Sequence, residues 1–399
     1  MKMGWQKKTL GDVLVKTETT DPARSPQTEF DYIDVSSVSN ETLAIEETQR
    51  LNGKDAPSRA RRLVKANDVL FATIRPTLRR IAIVSEELDN QVCSTGYFVL
   101  RAKSDVDHRF VFYFLQTEGF MTAIEKLQRG ASYPAVTDGD VRSQQIPIPP
   151  LPEQHRIVRI LDQAFEGIAR ATANAEQNLR NARALFESHL QSVFTQRGER
   201  WVERPLGTLA TFRNGINYTK ESKGERVKVV GVRNFQKHFS APLDDLDTVT
   251  IDGKLSELDS LKKDDILAVR SNGNIQLIGR CILVGEVTEK ISHSGFTIRI
   301  RLSDGIVIPK YICHFMKSAG SRKLLTEGGT GTNIKSLNQG MLSALMIPFP
   351  PVPVQKSLVE QLESISEKTQ RLESIYRQKL AALGELKKSL LHQAFNGDL

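Results

Sequence analysis

Two textures of apolar and polar positions alternate along the chain. Residues 1–151 and 200–352 carry short β-branched and apolar runs broken by turn residues. Asp68-Val-Leu-Phe-Ala-Thr-Ile74, Ile81-Ala-Ile-Val84 and Tyr97-Phe-Val-Leu100 predict strands, and Arg109 to Leu127 predicts an amphipathic helix. These two regions therefore read as α/β (α+β) domains. Residues 152–199 and 353–399 differ: apolar or small residues recur at steps of four and three, as in a coiled-coil seam. In the first stretch they are Ile157, Leu161, Phe165, Ile168, Thr172, Ala175, Leu179, Ala182, Phe186, Leu190 and Val193. In the second they are Leu358, Leu362, Ile365, Thr369, Leu372, Tyr376, Leu380, Leu383, Leu386, Leu390 and Ala394. Proline stands at each start and Gly198 or Gly397 follows each end, the residue types that suit a first helical turn and a left-handed cap. Each stretch predicts one helix of about 65 Å at ~1.5 Å per residue, too long to stand unpartnered. Gly167 and Gly384 interrupt the two patterns at non-equivalent places, each at a cost of about 1 kcal/mol relative to alanine.

The chain is also a repeat of itself. Residues 108–198 align without a gap on residues 309–399, a constant offset of 201. Within that stretch Ile146-Pro-Ile-Pro-Pro-Leu-Pro-Glu-Gln154 matches Ile347-Pro-Phe-Pro-Pro-Val-Pro-Val-Gln355. Upstream the offset drifts, but Leu10-Gly11 matches Leu206-Gly207, Asp68-Val-Leu matches Asp265-Ile-Leu, and Ser94-Thr-Gly-Tyr is set against His293-Ser-Gly-Phe. The order domain, helix, domain, helix lets the second helix return antiparallel beside the first. That gives a single chain with approximate two-fold symmetry, its C-terminus close to the first domain.

Composition narrows the function without naming it. The 55 Lys+Arg against 47 Asp+Glu leave a net charge of +8, which fits a nucleic-acid partner and many other proteins besides. Cys93, Cys281 and Cys313 are odd in number and widely spaced, which argues for a reducing compartment and against zinc or a disulfide framework. The polar start of the chain and the lack of any long apolar run predict a cytoplasmic protein that neither is secreted nor spans a membrane.

Catalytic parts are missing from the sequence. There is no phosphate-binding G-x-x-x-x-G-K-[ST] loop, and Asn52-Gly-Lys-Asp and Asp252-Gly-Lys-Leu lack its spacing. The Pro-Pro pairs at 149–150 and 350–351 follow Ile148 and Phe349 rather than the Asn or Asp that grips an adenine amino group. Glu327-Gly-Gly-Thr-Gly331 does not complete a dinucleotide-binding loop, and His155, His189 and His392 fall on the predicted rods, where metal ligation is not expected. No catalytic residue and no metal site is assigned.

If the domains bind DNA, loop side chains with paired donors carry the discrimination. In the first half these are Arg59, Arg61, Arg62, Arg75, Arg79, Arg80, Arg129, Ser132 and Tyr133. In the second half they are Arg213, Arg233, Asn234, Arg270, Asn272, Asn274, Thr330, Thr332, Asn333 and Lys335. The stretches Arg129 to Tyr133 and Thr330 to Ile334 occupy aligned positions but differ in side chain, as reader loops would. The bland alternative for each residue is a solvated loop charge.

These motifs, namely the duplicated proline-rich approach to each helix at 146–154 and 347–355 and the Asp-Val-Leu…Ile-Arg-Pro…Ser-Thr-Gly-Tyr-Phe-Val-Leu series at 68–100, resemble the specificity (S) subunits of Type I restriction-modification systems. The resemblance runs over essentially the whole chain. It implies two target-recognition domains, at 1–151 and 200–352, each reading half of a split double-stranded DNA target, and two conserved helices, at 152–199 and 353–399, that set the spacing and dock two methyltransferase subunits. Those partners would bring S-adenosylmethionine and adenine-N6 methylation, and a restriction (motor-nuclease) subunit ATP-dependent cleavage, so that this chain binds no cofactor of its own. The second half departs from the first where Arg270-Ser-Asn-Gly replaces Arg75-Pro and Val354 replaces Glu153, so residue roles do not transfer automatically between halves. A stand-alone two-headed DNA-binding or architectural protein remains the alternative, separated by whether a methyltransferase subunit co-purifies.

Overall fold

A computed structural model describes residues 4–235, 238–303, 305–327 and 336–399. They form two compact units, Met1–Glu176 with Gln378–Leu399, and Gln177–Arg377. Each long helix contributes to both, because the first spans Leu151–Thr195 and the second Val352–Asn396.

In unit 1, a three-stranded antiparallel sheet of Ile81–Ile83, Val69–Ala72 and Tyr97–Leu100 is buried on both faces. That burial explains why these strands are apolar throughout rather than alternating. Val69, Phe71, Phe98 and Leu100 face the helices His108–Phe114 and Glu118–Leu127, whereas Leu70, Ala72, Tyr97 and Val99 pack on Ile33, Val38, Val64 and Cys93. The second face belongs to a four-stranded mixed sheet in which Glu29–Ile33 runs parallel to Val92–Ser94. A two-stranded ribbon, Gln6–Thr9 with Gln145–Ile148, leads into the first long helix.

Unit 2 has corresponding elements. Thr297–Leu302 lies between Ala210–Asn214 and Ile266–Val269, Arg226–Val230 runs parallel to Ile291–His293, and Val202–Pro205 pairs with Met346–Phe349 ahead of the second long helix. Among the described residues no helix is long and apolar enough to cross a membrane.

Two buried polar clamps account for landmarks seen in the sequence. Asp68, only 1% exposed, takes a two-pronged grip from Arg101, Nε to Oδ1 and Nη2 to Oδ2, both at 2.8 Å. Asp265 receives the same grip from Arg301 at 2.6 and 2.7 Å. These bonds raise the pKa of both arginines, so a buried carboxylate is paid for with a partner of fixed charge. The second clamp is a fully buried glutamine at the foot of each long helix. Gln154 Nε2 donates to Pro149 O (2.9 Å) and Asp105 O (3.2 Å), and its Oε1 accepts from Asp107 N (2.9 Å). Gln355 Nε2 donates to Pro350 O and Ile306 O, both at 2.8 Å, and its Oε1 accepts from Ile308 N at 3.0 Å. Proline-rich segments supply carbonyls without amide donors, and the glutamine answers them.

Within unit 1 the two helix segments run antiparallel: Arg156 Nη2 donates to Leu399 O at 2.6 Å, and Phe165 lies under Lys387, whose Nζ is 5.0 Å from the ring centroid. Phe395 of the last turn packs on Phe110 and Phe114. Within unit 2, Phe194 packs in the same way on Tyr311 and Phe315, and Arg183 pairs with Glu373 at 3.2 Å. The expected seam slips by one residue at two places. Leu372 and Leu386 are exposed, and Glu373 and Lys387 turn inward instead. A step of four from Thr369 or Leu383 reaches 373 or 387 as readily as a step of three reaches 372 or 386, and ion pairing or a ring face under an alkyl stem decides the phase. A Cβ at Gly167 or Gly384 would meet nothing within 4 Å, so no contact requires glycine at either site.

Replacing Gln154 or Gln355 by alanine strands two backbone carbonyls and an amide in the interior. Each change is expected to cost about 2–4 kcal/mol in denaturant unfolding, whereas Gln163→Ala on the exposed flank of the same helix should stay within about 0.5 kcal/mol.

Candidate nucleic-acid interface

Each unit has an open cleft where strand ends meet loops. In unit 1 it measures about 470 Å³ and is lined by Val35, Arg59, Arg75, Leu78, Arg80 and Tyr133, among others. The strand Val69–Ala72 runs into Thr73 and Ile74, and Pro76 opens a short 3₁₀ turn, Pro76–Leu78. Arg75 and Arg79 flank that turn with φ of 49° and 55°, left-handed values that are uncommon for non-glycine residues, and Arg75 is exposed while Arg79 is half-buried. A second loop is laced alongside: Arg129 and Ala135 exchange backbone bonds at 2.9 Å, and Arg75 N donates to Pro134 O at 2.7 Å. Tyr133, 70% exposed at the loop tip, receives the Arg75 guanidinium 4.9 Å from its ring centroid. Arg80 is held back from the solvent side, donating to Val35 O (2.8 Å) and Val38 O (3.1 Å). Among the described residues neither Arg59 nor Arg75 forms an ion pair with a carboxylate. Two unneutralised guanidinium groups beside an exposed ring suit the acceptor-rich edges of bases or phosphate oxygens.

The other cationic candidates of unit 1 face acidic neighbours. Arg61 lies 3.3 Å from Asp21, Arg62 bonds Asp138 at 2.7 Å, Arg79 bonds Glu118 at 2.8 Å, and Arg129 grips Asp140 with two bonds of 3.1 Å. Ser132 is exposed on the same loop as Tyr133.

The corresponding cleft of unit 2 is about 520 Å³ and is lined by Tyr218, Val232, Arg233, Asp247, Asn272 and Phe296, among others. Among the described residues its only cationic wall residue is engaged: Arg233 donates to Asp247 at 2.9 Å and reaches Asp245 at 3.3 Å, and the Asp247 bond is the main cause of its raised pKa. Asn234 is buried, with Oδ1 accepting from Gly231 N (2.9 Å) and Nδ2 donating to Asp245 O (3.2 Å), so it braces the loop and offers nothing outward. Asn272 Oδ1 accepts from Asn274 N, and Asn274 Oδ1 in turn accepts from Gln276 N to cap a short turn. Arg213 lies on a strand and bonds Asp259 at 2.5 Å, while Arg270, where Val269 leaves the central sheet, is half-buried and has no carboxylate partner among the described residues. Thr330, Thr332, Asn333 and Lys335 lie outside the described residues.

Strand pairing corrects one alignment made from sequence. Ala72 pairs with Tyr97, and Val269 pairs with Thr297, while Asp68 and Asp265 hold the two central strands in the same register. Tyr97 therefore corresponds to Thr297, and the position of Phe296 is that of Gly96. Tyr97 is buried with its hydroxyl on Asp34 O and Val35 O, whereas Phe296 is 61% exposed in the cleft. Phe296 and Tyr218, which line this cleft, are aromatic and so fall outside the polar side chains expected from the sequence. For Phe296 the available signal was an aromatic residue directly after a glycine, Gly295, at a turn. Beneath that turn His293 is buried, its Nδ1 2.8 Å from Thr297 Oγ1, and burial pushes its pKa down to about 3, so it stays neutral.

Comparison with known proteins follows the same lines. Residues 2–179 match the Type I restriction modification DNA specificity domain. The chain is 24% identical over 324 residues to the Type I restriction enzyme StySPI specificity subunit of Salmonella potsdam, covering 77% of this chain and 69% of that one. It is 24% identical over 325 residues to the EcoKI specificity subunit of Escherichia coli K12, with the same coverage. Among solved structures, the HsdS subunit from Thermoanaerobacter tengcongensis superposes with a TM-score of 0.69 at 25% identity, covering 100% of this chain and 98% of that one. A chain solved in work on complex assembly and conformational transition of the type I R-M system superposes with a TM-score of 0.87 at 25% identity, covering 100% and 99%. The chain thus carries a Type I restriction modification DNA specificity domain over residues 2–179, and in sequence and fold it is similar to the specificity subunits of Type I restriction enzymes.

Proposed function

We propose that each unit reads one half of a bipartite DNA target through its cleft, and that the two long helices form a coiled-coil spacer fixing the distance between the readers. The observation that carries this reading is that corresponding strand ends and loops form a cleft in each unit, and that the wall of the first holds two arginines without acidic partners. On this reading residues 1–151 and 200–352 are the recognition domains and residues 152–199 and 353–399 the spacer, so that the chain repeats itself about an internal pseudo-two-fold. The helices also dock two methyltransferase subunits, which carry S-adenosylmethionine and methylate adenine N6. Restriction subunits joining them add ATP-dependent cleavage, and the specificity subunit itself contributes no catalytic group. It works on cytoplasmic DNA, which suits the three buried, unpaired thiols. Recovery of methyltransferase subunits with tagged protein from its native cell tests the docking, and their absence would favour the stand-alone DNA-binding alternative.

Two further outcomes are expected. Arg59→Ala and Arg75→Asn, the latter chosen because asparagine accepts a left-handed backbone, should each weaken target binding about tenfold in a titration while leaving the melting temperature unchanged. Unaltered affinity of the folded variants would remove these residues from the reading surface. Inserting seven residues midway in both helices lengthens the spacer by about 10 Å, and the mapped methylation target should gain about three base pairs between its halves.

A further inference from the structure

The two clefts differ in what they offer a base pair. In unit 1 the offer is cationic, from Arg59 and Arg75. In unit 2 the charged wall residues Arg233 and Asp247 neutralise each other at 2.9 Å, and what projects is the Phe296 ring. Its backbone is held rigidly: Phe296 O accepts from Arg270 N at 2.7 Å, Gly295 N donates to Ile216 O at 2.8 Å, and Thr297 N donates to Ser294 O at 2.9 Å. An exposed ring on a fixed turn is preorganised for contact and loses little freedom on binding. Unit 1 has no such knob on the corresponding turn, and its exposed ring, Tyr133, sits on a different loop against the Arg75 guanidinium. Gly96 holds the corresponding place, and a Cβ there would come within 2.5 Å of Val35 Cγ2. Among the groups a base pair shows in the major groove, the one an apolar ring complements is the C5 methyl of thymine.

Resting on the recognition reading above, we propose that Phe296 is a specificity-determining residue of unit 2 whose ring packs against the C5 methyl of a thymine in the half target this unit reads. The wild-type protein, with its methyltransferase partners where they co-purify, is titrated with a duplex carrying the target defined by methylation mapping. Each thymine is replaced in turn by deoxyuridine, which removes only the methyl group. A methylated adenine always faces a thymine, so each half contains at least one. The expected result is one thymine, in one half only, whose loss of the methyl weakens wild-type binding about fivefold or more. At that position Phe296→Ala should bind the thymine duplex correspondingly less well and no longer distinguish thymine from deoxyuridine, while Phe296→Leu keeps part of the preference. A Phe296→Ala protein that binds as tightly as wild type, or that still senses every methyl the wild type senses, overturns the proposal while leaving DNA recognition intact. A wild-type protein that does not prefer the target over a scrambled duplex overturns the recognition reading as well. The ring is largely exposed, so the alanine variant should melt with the wild type.

Discussion

Within each unit, the orientation of a long helix relative to its domain rests on one buried glutamine. Gln154 and Gln355 stand fully buried where a proline-rich strand turns into the helix, and each ties that turn by two hydrogen bonds to the loop ahead of an earlier domain helix and by a third to a proline carbonyl of the turn itself. Prolines at these positions make the approach stiff, but they also leave carbonyls that only a nearby donor can satisfy. A side chain with both donor and acceptor groups solves the problem in one residue. The end of the opposite helix is then fixed by aromatic packing, Phe395 in unit 1 and Phe194 in unit 2. The proposed spacer role requires joints that do not swivel, and the joints at these helix ends are built from buried polar and aromatic contacts.

The clefts show the complementary principle. Their frame is fixed by the Asp68–Arg101 and Asp265–Arg301 clamps and by strand pairing, while the residues that line them differ. Arginines with carboxylate partners, such as Arg62, Arg129 and Arg233, hold loops in shape. Arg59, Arg75 and Arg270, which have none among the described residues, remain available. Whether a cation already has its counter-charge thus sorts structural from reading candidates better than its presence in a loop does.

Much of the architecture was legible because it is written in periodicity. Apolar steps of three and four mark helices near Leu151–Thr195 and Val352–Asn396, and a gapless offset marks corresponding segments. The slips at Leu372 and Leu386 were not legible, since the choice between adjacent helix positions depends on the Arg183–Glu373 and Lys387–Phe165 contacts. The site was read less well. Arg75 and Tyr133 could be picked out, but their stacking needs two loops far apart in sequence. Asn234 looked like a reader and is a brace, because its burial follows from the turn around it. Phe296 was hidden by an alignment one residue out of register, which turned an exposed aromatic into the apparent twin of the buried Tyr97. Local sequence similarity favoured matching Ser94-Thr-Gly-Tyr with His293-Ser-Gly-Phe, and only strand pairing reveals the extra residue.

The proposal that one chain reads two half targets is tested most directly by mapping methylated adenines across the host genome with and without this gene. The account predicts a set of sites that vanishes with the gene and shares a two-part motif separated by a constant stretch of unspecified sequence. Methylation unchanged by loss of the gene, or a gene-dependent motif that is continuous, would contradict it.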